Sequence, residues 1–158
     1  MIAKNLMKQN LVSILPEERL CDAVRLMSQH HLGGLPVLDQ DQRLVGVITE
    51  GDILRHGKKS YMAECMDLLE TFLYRQNPER YVQEILKVLG LSVKELMNTE
   101  LITAEEETPA GELALIMLER DIDRIPILLE GKCIGVVGRE DIIQAIAQLH
   151  MDEKSFSS

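Results

Sequence analysis

The sequence is written twice, and no other feature constrains its fold as much. Leu6-Met7 recurs as Leu96-Met97, Leu11-Val12-Ser13 as Leu101-Ile102-Thr103, Met27 as Met117, and Leu35-Pro36-Val37-Leu38 as Ile125-Pro126-Ile127-Leu128, each 90 positions on. Past the prolines the spacing falls to 89, where Gly46-Val47-Ile48-Thr49-Glu50-Gly51-Asp52-Ile53 returns as Gly135-Val136-Val137-Gly138-Arg139-Glu140-Asp141-Ile142. One supersecondary unit is used twice, and the one-residue deletion falls in a turn.

Each copy alternates between the strand and helix periods. Leu11 to Ile14 is a short β-prone stretch, and Arg19 to His31 carries Leu20, Ala23, Val24, Met27 and His31 at helical spacing. Leu35 to Asp39 and Arg43 to Thr49 are apolar runs joined by polar residues and so read as a hairpin, which Glu130-Gly131 tightens in the second copy. Glu50 to His56 reads as a helix stopped by Gly57, and its counterpart runs from Glu140 to about Leu149. The expected class is α+β: two β-α-β-β-α repeats packed with pseudo-twofold symmetry, since neither repeat alone buries much surface. Repeat 1 spans 1–57, repeat 2 spans 92–150, and 151–158 is expected to be a flexible tail.

Residues 58–91 belong to neither copy. Met62, Cys65, Met66, Leu69, Phe72 and Leu73 recur at three-and-four spacing, Asn77-Pro78-Glu79 starts a second helix, and Ile85, Leu86, Val88 and Leu89 precede Gly90. An inserted helical hairpin is expected, followed by a capping box at Ser92-Val93-Lys94-Glu95.

Composition narrows the function. Among 158 residues, 17 Lys and Arg against 26 Asp and Glu leave a formal charge of -9, which speaks against nucleic acid and anionic membranes as partners. Only 3% of residues are aromatic, too few for a base-stacking platform. No apolar run reaches a membrane span and the N-terminus carries no secretion signal, so a cytoplasmic protein is expected. Cys21, Cys65 and Cys133 are odd in number and far apart, which fits reduced buried thiols. His30-His31 lacks a third ligand at useful spacing, and the methionines fall on apolar helical faces, so no metal is expected.

The repeat resembles the CBS domain, named after cystathionine β-synthase. The residues that carry the likeness are Leu35-Pro36-Val37-Leu38-Asp39 with Leu44 to Leu54 in the first copy, and Arg124-Ile125-Pro126-Ile127-Leu128 with Ile134 to Ile142 in the second. Two copies in register strengthen it. The resemblance implies a CBS pair, commonly a homodimeric disc, whose clefts take adenosine-containing ligands such as AMP, ADP, ATP or S-adenosylmethionine and regulate an enzyme, channel or transporter. In this sequence no such partner is attached, so an unidentified protein partner is implied. No cofactor is required; the adenine nucleotide is a regulatory ligand.

A ribonucleotide presents a diol, a phosphate and a flat base. Asp52 and Asp141, early in their helices, can accept ribose hydroxyls. Gly51 and the turn before each helix offer backbone N–H groups, and Thr49 adds a hydroxyl that Gly138 lacks. Thr49-Glu50-Gly51-Asp52 reads equally as a structural helix cap. The resemblance implies phosphate contact at Arg124, matched by Gly34 in the first copy; Arg124 can instead pair with Asp121 or Asp123, and Arg139 is a further cation. It also implies base slots that set Val12 with Asp141 and Arg124, and Ile102 with Thr49 and Asp52, walled by Val47 and Val136. Two unequal clefts follow. No hydrolase, phosphate-loop or dinucleotide motif is present, so the expected function is not enzymatic. It is a sensing module that binds an adenosine compound between its repeats and signals occupancy through the angle between them. The alternative is a CBS dimer that binds no ligand and serves as a protein-interaction surface.

Overall fold

The two copies fold into matching elements, and the class is α+β. A computed structural model describes residues 1–8, 10–56 and 78–157, the side chain of residue 81 aside. The elements are α1 (Ala3–Leu6), α2 (Leu20–His30), β1 (Gly34–Leu38), β2 (Leu44–Thr49), α3 (50–56), α4 (Pro78–Val88), α5 (Val93–Leu96), β3 (Ala104–Glu105), α6 (Ala110–Arg120), β4 (Arg124–Leu129), β5 (Lys132–Gly138) and α7 (Arg139–Phe156). The first arm of the expected insert, and the stop at Gly57, lie outside the described residues. The helix expected from Pro78 is α4, which buries Val88 and ends ahead of Gly90.

Local chemistry explains the correspondence. Helices α2 and α6 bury Leu20, Ala23 and Met27, and Leu113 and Met117, at helical spacing. Each ends in a left-handed residue, His31 at φ 53 and Asp121 at φ 52, whose N–H returns to Met27 or Met117. His31 thus serves as a helix C-cap. Strands β4 and β5 pair antiparallel through a two-residue turn at Glu130 (φ 52) and Gly131 (φ 80), the mirror-image turn that a twisted hairpin favours. The β1–β2 connection, residues 39–43, is longer and sets Gln42 at φ 64.

The chain divides into two compact units that do not follow chain order. Unit 1 comprises Met1–Leu11, Asp41–Leu44 and Ile102–Ser158; unit 2 comprises Val12–Gln40 and Val45–Leu101. The lead segment of each repeat is therefore built into the unit of the other. In unit 1, Ala3 N–H donates to Thr108 O (2.8 Å), Lys4 N–H to Glu106 O (2.9 Å) and Ala110 N–H to Met1 O (3.0 Å). In unit 2 the equivalent bonds run from Val93 to Glu18 (2.8 Å), from Lys94 to Pro16 (3.0 Å) and from Leu20 to Leu91 (2.9 Å). They satisfy N–H groups that the starts of α1 and α6 in one unit, and of α5 and α2 in the other, would otherwise leave unpaired. The sequence division at 57 and 92 marks the repeats, whereas packing regroups them.

Two elements differ in extent from the sequence reading. The first strand shrinks to one parallel bridge, Ile14 with Val37, in unit 2, and to the two residues of β3 beside β4 in unit 1. Pro16 lacks an N–H to extend the ladder, and Thr108 turns the chain by accepting from Glu105 N–H (3.1 Å). Residues 151–156, expected as a flexible tail, continue α7: no Gly or Pro interrupts the run after Arg139, and Gln148 bonds Asp152 one turn on (3.1 Å).

The core of unit 2 gathers Ile14, Leu20, Ala23, Met27, Leu35, Val37, Ile48, Ile53, Val88 and Val93; that of unit 1 gathers Ala3, Leu6, Leu113, Met117, Ile125, Ile127, Val137 and Ile142. Each exchanged segment is also seated on a glycine. A Cβ on Gly46 would lie 2.5 Å from Met97 Sδ, and one on Gly135 would lie 2.7 Å from Met7 Sδ. Overpacking of this kind costs about 1–3 kcal/mol. We expect Gly46→Ala to destabilise by about that amount and Met97→Ala to recover much of the loss in the double variant. Chemical denaturation of the four proteins checks this, and strict additivity would disprove the seat.

Candidate ligand-binding site

Both candidate sites start where a Gly-containing strand runs into a helix. In unit 2, β2 ends at Thr49 and α3 begins at once, with Glu50 N–H bonded to Gly33 O (3.0 Å). In unit 1, β5 ends at Gly138, and Arg139 N–H is bonded to Asp123 O (2.9 Å). A backbone bond across the neighbouring strand fixes the turn in each case.

The structure gives both aspartates a capping role. Asp52 Oδ2 accepts from Thr49 N–H (3.0 Å) and from the Thr49 hydroxyl (2.9 Å), while Asp52 N–H donates to Thr49 Oγ1 (3.2 Å). Arg55 Nη2 donates to Asp52 Oδ1 (2.8 Å), so both carboxylate oxygens are engaged. Arg55 also faces Gly51: a Cβ there would stand 3.0 Å from its Nη1, and the approach left open by the glycine is occupied by a guanidinium.

Asp141 is held differently. Its Oδ2 accepts from Gly138 N–H (2.7 Å), and with only 8% of the residue exposed it is one of two buried charged residues among those described. Gln144 stands where Arg55 stands in unit 2, so no cation one turn along engages Oδ1. No fully buried side-chain nitrogen or oxygen among the described residues lacks a partner. Burial, foremost, raises the Asp141 carboxyl above its ordinary range and Glu140 adds to this; the Gly138 N–H, Lys8 and Arg124 pull the other way.

The cations lie around the same turn. Arg124 is the direct cross-strand partner of Gly138, and its Nη1 bonds the exposed Asp123 Oδ1 (3.0 Å). Arg139 is exposed, and its Nη2 reaches Ile122 O (3.4 Å). Lys8 escaped the sequence reading because it belongs to the first repeat, and only the exchange of lead segments brings it into unit 1. The recurrence of Leu6-Met7 as Leu96-Met97 was the available signal: the residue after Met97 is Asn98, whose N–H and C=O both pair with Val47 (2.9 and 3.0 Å). Val47, Val136, Val12 and Ile102 are all half-buried. Val12 falls in the unit of Thr49 and Asp52, and Ile102 in that of Arg124 and Asp141, so the expected pairings join residues of different units.

Elsewhere in unit 1 a depression of about 630 Å³ is lined by Thr103 to Glu107 and Leu128 to Gly131; four of its residues are glutamates and none is a candidate above. Among the described residues no cluster suited to a metal ion occurs, and no helix is long and apolar enough to cross a membrane. Cys21 and Cys133 are free thiols; Cys133 is buried, which raises its thiol, and Cys65 lies outside the described residues.

The sequence matches the family model for the CBS domain over residues 3–59 and again over 93–148, and the chain belongs to that family. It is 30% identical over 154 residues to protein MJ1426 of Methanocaldococcus jannaschii, covering 92% of this chain and 91% of that one. It is 28% identical over 152 residues to CBSX1, a chloroplastic CBS domain-containing protein of Arabidopsis thaliana, covering 90% of this chain but 61% of the relative. A solved structure of CBSX2, also a chloroplastic Arabidopsis protein, in complex with AMP superposes with a TM-score of 0.69 at 26% identity, over 94% of this chain and 98% of that one.

The raised Asp141 carboxyl has a thermodynamic consequence. The folded chain keeps that proton to higher pH than the unfolded chain, so the group contributes a destabilisation that is absent well below the ordinary value of 3.8 and grows as pH rises through the raised one. Asp141→Asn keeps an acceptor for Gly138 N–H and removes the titration. We expect the stability of the variant relative to the parent to rise between about pH 3 and 7 in denaturation curves. A difference that is flat across that range would contradict the assignment.

Proposed function

We propose that the protein is a regulatory module that binds an adenosine-containing ligand at the strand-to-helix turns of its CBS repeats and signals occupancy to a partner. The observation that carries this is the turn of unit 1, where Asp141 is bonded through Oδ2 alone to Gly138 N–H and Arg124, the cross-strand partner of Gly138, acts on its carboxyl. An acceptor for a diol and a cation for a phosphate are the groups a ribonucleotide needs. The AMP complex of CBSX2, whose fold this chain shares over nearly its whole length, supports the reading. In unit 2 the same turn offers Thr49 and Asp52, already bonded to each other and to Arg55. Ligand there competes with Arg55 for Oδ1, so the two turns are unequal. Val12, Ile102, Val47, Val136 and Gly51 are the proposed apolar and close-approach positions, and Arg139 is a further anion contact.

A second reading, a homodimeric interaction surface, rests on one difference between the repeats. Leu115 and Leu118 on α6 are 58% and 78% exposed, whereas the matching positions on α2 are Arg25 and Ser28. The scaffold accepts polar residues there, so the exposed leucines are not required by the fold, and a second copy of the chain is the partner they suit. Sedimentation of the parent and of Leu115→Arg/Leu118→Ser separates the readings, since the dimer alone depends on that face.

The ligand-binding reading is tested by thermal denaturation with AMP, ADP, ATP and S-adenosylmethionine added to nucleotide-stripped protein. A ligand at a hundred times its dissociation constant should stabilise by about 2.7 kcal/mol. Asp141→Ala should abolish more of that increment than Asp52→Ala. Absence of a shift with all four compounds would end the sensor reading.

A further inference from the structure

Resting on the adenosine-binding reading, we propose that Glu140 sets the ligand preference of the unit 1 turn. Its carboxylate, folded over Gly138, holds the place of an anion. A phosphorylated adenosine compound has to displace it, and an unphosphorylated one does not.

The duplication supplies the comparison. Positions 49, 51 and 52 correspond to 138, 140 and 141, so Thr49, Gly51 and Asp52 stand against Gly138, Glu140 and Asp141. The larger and the smaller residue have changed places ahead of the same aspartate. In unit 2 the Thr49 side chain fills the turn itself, donating to Asp52 Oδ2 (2.9 Å) and accepting from Asp52 N–H (3.2 Å). In unit 1 Gly138 leaves that volume open and Glu140 enters it: a Cβ on Gly138 would stand 2.6 Å from the Glu140 carboxyl carbon. A side chain at 138 would push Glu140 out, so the glycine and the glutamate form one device.

The carboxylate is held by little. Glu140 is exposed, and among the described residues it accepts no hydrogen bond and makes no ion pair. Its charge opposes ionisation of the neighbouring Asp141 carboxyl. The fold does not require it there, since Asp141 already caps the helix start through Gly138 N–H (2.7 Å). What attracts an anion to this place is Arg124, across the strands from Gly138, together with the start of α7. A ligand phosphate drawn by the same groups competes with Glu140 for the same volume. Adenosine offers its diol to Asp141 and leaves Glu140 where it is. Because the side chain is long and exposed, a rotamer change suffices to clear the turn, and Glu140 grades phosphate affinity without closing the site.

AMP and adenosine differ only in the phosphate and serve as the probes. Each is titrated calorimetrically into the nucleotide-stripped full-length protein, Glu140→Gln and Glu140→Ala. We expect both variants to bind AMP about fivefold more tightly, since one like-charge contact is removed, while adenosine affinity stays within about twofold. The gain should shrink as salt is added, and it should persist when Asp52→Ala is introduced, which places it in unit 1. Glu153→Gln, farther along α7, removes the same charge and should leave both affinities within about twofold of the parent. An AMP affinity unchanged by both Glu140 variants, a gain shared by adenosine, an equal gain from Glu153→Gln, or a gain lost with Asp52→Ala overturns the role of Glu140. Each of these leaves the adenosine reading standing. If neither the parent nor either Glu140 variant takes up either probe, the adenosine reading fails and this inference with it.

Discussion

The structure depends on the exchange of lead segments between the repeats. A helix start leaves backbone N–H groups without partners, and neither repeat supplies its own: the first N–H groups of α2 are met by carbonyls of Leu89 and Leu91, and that of α6 by Met1. In return α1 and α5 donate to carbonyls in the loops ahead of α6 and α2, at Thr108 and Glu106 and at Glu18 and Pro16. Ala3 and Leu6 complete one core, Val93 the other. Burial of such side chains contributes roughly 1.5–3 kcal/mol for the larger ones, a sizeable share of ordinary net stability. Neither unit can be assembled from one repeat alone.

The repeats keep what the backbone needs and differ in what the surface offers. The left-handed caps after α2 and α6, the strand-to-helix bonds at Glu50 and Arg139, and the methionine-on-glycine seats recur almost atom for atom. The side chains around each turn do not recur: Thr49 becomes Gly138, Arg55 becomes Gln144, and Asn98 corresponds to Lys8. Differences confined to groups the fold does not use are free to carry specificity.

Much of this was legible in the sequence because it rests on local chemistry. The periods of α2 and α6, the Glu130-Gly131 turn and the capping box in which Ser92 N–H and hydroxyl donate to Glu95 are settled within a few residues. The Thr49 to Asp52 cap was legible too, but only as one of two readings, since a carboxylate suited to a ribose is equally suited to its own helix start. The exchange was not legible. Its contacts span about ninety positions, and Leu6-Met7 and Leu96-Met97 are so alike that no local rule says which repeat each completes. Lys8 was missed for that reason, and α7 was read short because absence of a breaker is a weaker signal than its presence.

The exchange also decides what a ligand in unit 1 can do. Lys8 lies two residues past the end of α1, whose segment closes the start of α6 through Met1, Ala3 and Lys4. An anion bonded to both Lys8 and Arg124 would link that segment to β4 and favour the docked segment. By linkage, whatever loosens the segment weakens the ligand by the same factor. The segment belongs to the first repeat in the chain and to the second in the structure. A ligand bound at this turn would be coupled to the exchanged segment through the backbone bonds of Met1, Ala3 and Lys4, with no need to touch the other turn.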